Sequence, residues 1–117
     1  MTVKRIVANI AANQVSDGHK FYGELLDLKV VMDHGWIVTF AADQSAPVQV
    51  SIASEGGSGT PVPDISIEVE NVVDVHQRAL ALGFDITYPL TDEPWGVRRF
   101  FVRDPFGKLV NIMSHSS

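Results

Sequence analysis

Val48-Gln-Val-Ser-Ile-Ala-Ser54 lies over Lys108-Leu-Val-Asn-Ile-Met-Ser114, and each stretch closes a run of expected elements in the same order. A chain that repeats order as well as sequence has to build two like modules. In the first half, Lys4 to Ile10 alternates as a strand, and Val15 to Leu26 places Val15, Tyr22, Leu25 and Leu26 on one helical face. Asn13 or Ser16 is the expected cap. Gly18 and Gly23 within this helix each cost about 1 kcal/mol relative to Ala, so packing of Phe21 and Tyr22 must supply its stability. Asp27 suits the left-handed exit position, and strands follow at Lys29 to Asp33, Trp36 to Ala41 and Val48 to Ile52. Gly, Ser and Pro punctuate Ser54 to Pro63, and Glu55-Gly56-Gly57-Ser58-Gly59 reads as a flexible linker, since no helix or lysine follows it as in a phosphate-binding loop.

The second half repeats the pattern. Asp64 to Val69 is a strand, and Asn71 caps a helix with Val72, Val75, Ala79 and Leu82 near helical spacing, ended by Gly83. Phe84 to Tyr88 is the next strand, Pro89 to Gly96 a long loop, and Val97 to Arg103 and Leu109 to Met113 form a hairpin. Asp104-Pro105-Phe106-Gly107 joins them by a mechanism: Asp bonds the backbone ahead, Pro presets φ, and Gly accepts positive φ. Each half therefore reads as strand, helix, then three strands. Residues 1–117 make a single domain, with modules at 1–53 and 64–117 joined by loop 54–63.

Composition limits the function. The 117 residues are 45% hydrophobic and 20% charged, enough for one modest core that dimerisation would help. No stretch is apolar enough to span a bilayer and no signal-peptide pattern opens the chain, so a cytoplasmic location is expected. Zero cysteines exclude disulfides, thiolate metal sites and cysteine nucleophiles. A net charge of -5 without a basic cluster argues against nucleic acid and favours a neutral or cationic small molecule.

The tandem order, the segment Phe21-Tyr-Gly-Glu-Leu-Leu-Asp-Leu28, and the Glu93-Pro-Trp-Gly96 and Asp104-Pro-Phe-Gly-Lys108 segments resemble the vicinal oxygen chelate superfamily, the glyoxalase, bleomycin-resistance and extradiol-dioxygenase group. The resemblance covers nearly the whole chain. It implies an α+β fold in which two tandem βαβββ modules form a curved mixed sheet cup with helices on the outside, and a homodimer. It also implies metal-ligand positions, in metal-dependent members, on the first and last strand of each module. Aligned on the helix ends and final strands, these positions fall at Val7, Ser51, Asp64 and Asn111, with Asn9 or Ser66 reached by a slip. Only Asp64 among the four is an ionisable ligand. Val7 cannot ligate, and Ser51 and Asn111 are weak donors, so no metal and no cofactor is expected.

The histidines offer no replacement: His19 and His76 fall in the expected helices, His34 in a turn and His115 in the terminal tail. Strand alternation directs Ile65, Ile67 and Val69 to the helices and leaves Asn9, Gln49, Ser51, Asp64, Ser66, Glu68 and Asn111 to line the cup. Such small polar groups suit hydrogen bonding to an organic ligand, although an antiparallel sheet commonly shows a polar face to water. Trp36 and Trp95 at strand ends would give an aromatic wall, and Arg98 a cation, or they would serve packing and surface pairing. Three functions fit: a metal-independent binder that sequesters a small organic ligand; an enzyme with Asp64 or Glu68 as general base and Arg98 as oxyanion partner; and an accessory interaction domain.

Overall fold

A computed structural model describes residues 2–42 and 49–115. Its contacts group the chain into two compact units: Val7–Val62, and the residues up to Ile6 together with those from Pro63 onward. Strand β1 (Val3–Ala11) begins in the second of these and ends in the first. Eight strands and two helical regions give the α+β class and the twofold strand-helix-three-strand order read from the sequence.

In the N-terminal unit, β2 (Lys29–Asp33), β3 (Ile37–Ala41) and β4 (Gln49–Ala53) join β1 in the order β2-β3-β4-β1. Neighbours run antiparallel except β4 and β1, which are parallel. Val48, expected to open the strand that became β4, lies outside the described residues. Val38, Phe40 and Ile52 on the helical side of this sheet pack with Val15, Tyr22 and Leu28.

The helix over this core departs from expectation. A 3-10 turn at Val15–Asp17 leads into a π-helix, His19–Leu25, whose last turn closes with Leu26 N–H donating five residues back to Phe21 O at 3.2 Å. Gly18, between them, sits so close to the sheet that a Cβ there would lie 2.4 Å from Ile52 Cδ1. That close approach is the reason for the glycine. Neither Asn13 nor Ser16 caps the segment; Gln14 holds the cap position without a side-chain bond. The wider π geometry also turns the expected apolar face, leaving Leu25 66% and Leu26 50% exposed. Asp27 takes the left-handed exit at φ 57° as expected.

The glycine-rich segment after β4, read from the sequence as a flexible linker, forms a hydrogen-bonded turn. Gly56 N–H donates to Thr60 O at 2.8 Å, Thr60 N–H to Gly57 O at 3.0 Å, and Gly59 N–H to Glu55 Oε1 at 3.1 Å. A Cβ on Gly56 would stand 2.2 Å from Pro61 O, so only glycine fits.

The C-terminal unit is more regular. Strand β5 (Ile65–Val69) precedes α1 (Val72–Ala81), followed by β6 (Ile86–Asp92), β7 (Val97–Arg103) and β8 (Leu109–His115). The sheet order is β5-β8-β7-β6, with β5 and β8 parallel. Asn71 Oδ1 accepts from Asp74 N–H at 3.2 Å, the expected cap, and Gly83 follows the helix at φ 78°. Val72 and Ala79 bury against Val69, Phe100, Val102 and Val110, with Ile65, Ile67 and Val75 beside them. Leu82, expected on that face, is 70% exposed because the helix has already ended.

β6 also corrects the sequence reading, since it begins two residues later than expected and runs through Pro89 to Asp92 where the sequence predicts a loop. An edge strand can place proline where no ladder N–H is needed, and two register shifts, Ile86/Tyr88 and Tyr88/Thr91, accommodate it here. The 104–107 turn behaves as expected: Asp104 Oδ1 accepts from Phe106 N–H at 2.8 Å and Lys108 N–H at 2.9 Å.

Candidate functional site

In each unit, most of the polar residues expected to line a site fall on the face of the sheet turned away from the helix. In the C-terminal unit the parallel register pairs Ser66 with Asn111, and the antiparallel register pairs Asn111 with Phe101. Asn111 is 6% exposed. Its Nδ2 donates to Ser66 Oγ at 3.1 Å, while its Oδ1 is buried without a hydrogen-bond partner among the described residues. A buried amide atom without a partner costs about 1–3 kcal/mol, so this one calls for an explanation.

Glu68 shares that face and gathers charge. His115 Nδ1 lies 2.8 Å from its Oε2 and Arg5 Nε 3.0 Å from its Oε1. Burial pushes the Glu68 carboxyl up, but the His115 hydrogen bond and the charges of Arg5, His115 and Lys4 together outweigh it, and the group is held below the ordinary glutamate range. His115, assigned to a tail by sequence, is the final residue of β8.

Farther along the face, Arg99 is buried with Glu93: Nε donates to Oε2 at 2.6 Å, and the side chains are 4% and 3% exposed. Tyr88 Oη donates to the same oxygen at 3.0 Å. The guanidinium carbon lies 4.9 Å from the Trp95 ring centre, 4.8 Å from Phe101 and 5.3 Å from Tyr88. A cation therefore does sit against Trp95, and it is the protein's own. Sequence reasoning passes over this cluster, although a signal is present. Alternation puts Arg99 on one face with Phe101, and a buried arginine needs a carboxylate, which Glu93 supplies across the hairpin.

Two expected site residues serve other ends. Arg98 alternates to the helix side with Phe100 and Val102, and it is exposed and paired to Asp92 through Nε at 2.6 Å and Nη2 at 3.2 Å. The hydrogen bond from Arg98 lowers the Asp92 carboxyl and correspondingly raises the guanidinium. Arg98 thus cannot be an oxyanion partner to Glu68, which lies on the other face. Asp64 precedes β5 and clasps β8, its Oδ2 accepting from Leu109 N–H at 2.8 Å.

In the N-terminal unit, register pairs Asn9 with Ser51 and Ser51 with Thr39. The Thr39 and Ser51 hydroxyls meet at 2.7 Å, buried, so Ser51 is satisfied. Asn9 and Gln49 are half-buried and have contacts of their own. Trp36 stacks on His34, with ring centres 6.2 Å apart, and its carbonyl accepts from Ser54 N–H at 2.9 Å.

These positions do not fit a catalytic metal. Val7 has no donor atom, Ser51 is engaged by Thr39, Asp64 by β8, and Asn111 is a neutral amide. Among the described residues no group of three or more His, Cys, Asp and Glu is placed to hold an ion. A divalent catalytic ion needs several anionic or imidazole ligands around an open position, and here the donor chemistry is wrong. Among the described residues, no helix is long and apolar enough to cross a membrane.

The fold has many solved counterparts. A structure described as NAD-dependent benzaldehyde dehydrogenase from Legionella pneumophila matches with a TM-score of 0.76 at 16% identity, over 96% of this chain and 100% of that one. A glyoxalase/bleomycin resistance protein/dioxygenase superfamily member from Vibrio splendidus 12B01 gives 0.65 at 18% identity, over 97% and 99%. Methylmalonyl-CoA epimerase from Mycobacterium tuberculosis gives 0.67 at 13% identity, over 98% and 88%. Likeness at such identities establishes the fold alone, and no curated protein matches the sequence. The family model for the Glyoxalase/Bleomycin resistance protein/Dioxygenase superfamily matches residues 3–112, nearly the whole chain, and this protein belongs to that superfamily.

Proposed function

We propose that the protein is a metal-independent binder of a small organic ligand, of the glyoxalase/bleomycin-resistance type, which sequesters its guest as a cytoplasmic homodimer. The observation that carries this reading is the unpartnered amide atom of Asn111, buried beside Ser66 on the non-helical face. A guest with a hydrogen-bonding group complementary to that amide would satisfy it. Phe101, directly across the ladder, provides an apolar neighbour.

An enzyme using Glu68 as general base has less support, because its carboxyl is held low and both oxygens are engaged, the reverse of what a base at neutral pH requires. An accessory domain without a site has one observation in its favour, since the Arg99 cluster fills part of the same face with protein.

The test pairs a ligand screen with one variant. Bleomycin, cationic aromatic compounds and neutral heteroaromatic amides are screened by thermal shift, where a hundredfold excess over Kd adds about 2.7 kcal/mol of stability. N111L replaces the stranded amide by a side chain of similar volume but also removes its bond to Ser66 Oγ, so it is expected to leave the stability of the free protein within about 1 kcal/mol of the parent while losing the response to any hit. Should no compound shift the melting temperature, or should N111L respond as the parent does, the Asn111 reading fails. A stoichiometric, tightly held divalent ion in the purified protein would overturn the metal-independent assignment.

A further inference from the structure

We infer that Arg99 decides which guests the Asn111 site accepts: it holds the place of a cation, so the guest is an uncharged hydrogen-bond donor of the carboxamide kind. The inference rests on the ligand reading above and deepens it. Aromatic rings grouped around a carboxylate form a receptor for organic cations. Tyr88, Trp95 and Phe101 with Glu93 make one, and its place is taken. The Arg99 guanidinium carbon lies 5.3, 4.9 and 4.8 Å from the three ring centres, and Glu93 Oε2 accepts from both Arg99 Nε and Tyr88 Oη. Register sets this cluster against the amide, since β7 pairs Phe101 with Asn111 and Arg99 with Met113, one step along the same face. The ligand site and the occupied receptor are neighbours.

The charges of this face leave little for a second cation. Besides Glu93, the carboxylate set into it is Glu68, whose two oxygens face Arg5 Nε at 3.0 Å and His115 Nδ1 at 2.8 Å. Asp64, at the exposed entry to β5, gives its Oδ2 to Leu109 N–H. A charge taken out of water needs a countercharge as well as hydrogen bonds, and a cationic guest at Asn111 would meet only the amide. An anionic guest fares no better. Arg99 and Arg5 already face Glu93 and Glu68, and a carboxylate has no hydrogen to donate. What the site lacks is one hydrogen bond, at Asn111 Oδ1, and an uncharged amide N–H supplies it. The net charge of -5 draws cations from a distance, but local pairing decides what is held at contact.

Two matched pairs of probes test this on the full chain. Benzamide and benzamidine share a shape and differ in charge, and isothermal titration is expected to show the parent binding benzamide at least about tenfold tighter. R99A removes the guanidinium, and N-ethylguanidinium replaces the missing atoms. That cation is expected to raise the melting temperature of R99A and not of the parent, while uncharged N-ethylurea raises neither. If R99A does not fold in buffer, circular dichroism with and without N-ethylguanidinium reads the same rescue. A parent that takes benzamidine as tightly as benzamide overturns the inference, and if N111L abolishes both responses the Asn111 reading still stands. An R99A chain indifferent to N-ethylguanidinium, or rescued equally by N-ethylurea, makes Arg99 a space-filler and also overturns it. A parent indifferent to both aromatic probes overturns the carboxamide class, and the wider screen then decides on Asn111 alone.

Discussion

The two units bury the helical faces of their sheets alike and treat the opposite faces differently. In the N-terminal unit the counterparts on that face, Ile37, Thr39 and Ser51, are small or apolar, and the Thr39 and Ser51 hydroxyls satisfy each other. In the C-terminal unit the same ladder positions hold Arg99, Phe101 and Asn111, which give a buried ion pair, an aromatic enclosure and an amide with an atom left over. One half has closed its polar chemistry, while the other has concentrated it. A repeat keeps its scaffold most strictly where packing demands it, on the helical side, where Val38, Phe40 and Ile52 correspond by register to Phe100, Val102 and Ile112. The faces turned away from the helices are free to diverge.

The sharpest way to break this comparison is at Arg99. R99M takes the countercharge from Glu93 and leaves it the Tyr88 hydrogen bond, and removing one partner of a buried ion pair costs about 3–5 kcal/mol. Urea unfolding should show that loss, with the E93Q/R99M double variant recovering part of it. A loss below about 1 kcal/mol would mean that the cluster is no linchpin. G18A probes the other unit: its Cβ meets the end of the Ile52 side chain, so overpacking of about 1–3 kcal/mol competes with about 1 kcal/mol of helix propensity. A net loss of about 1 kcal/mol is expected, and a gain would show that the close contact is slack.

The smallest effect concerns Glu68. Its folded carboxyl is lowered, so its contribution to stability is fully present above the unfolded value, near pH 4.3, and is lost as pH falls through the folded value below it. Melting temperatures of the parent and E68Q from pH 7 to 3 should therefore differ most at neutral pH and converge below about pH 4. A constant difference across the range would mean that Glu68 acts through packing alone.

Much of the fold can be read from the sequence because period-two alternation and turn chemistry are local. β2 and β7 run as expected, Asn71 caps α1, and Asp104 closes its turn. The expectations that fail depend on distant contacts. Gly18, at the entrance to the π-helix, lies against Ile52 and Phe40, residues far away in sequence. Pro89 reads as a loop because its tolerance comes from an edge position that only the assembled sheet defines. At the candidate site, alternation correctly assigns Ser66, Glu68 and Asn111 to one face. It cannot tell which of their polar atoms will find partners, and it favours Trp95 and Arg98 while passing over Arg99 and His115.

The π-helix also bears on how this chain is compared with its relatives. A helix closed by bonds five residues apart accommodates more chain per turn than an α-helix, so residues counted backward from Asp27 drift against an α-helical relative. In the strand before it, a drift of one residue exchanges the two faces of the sheet. Val7 or Ala8 then stands for a ligand position according to the count alone. The ladder partners Asn9 and Ser51 provide a fixed mark that no helical geometry can displace, and residue-by-residue transfer from any relative should start from them.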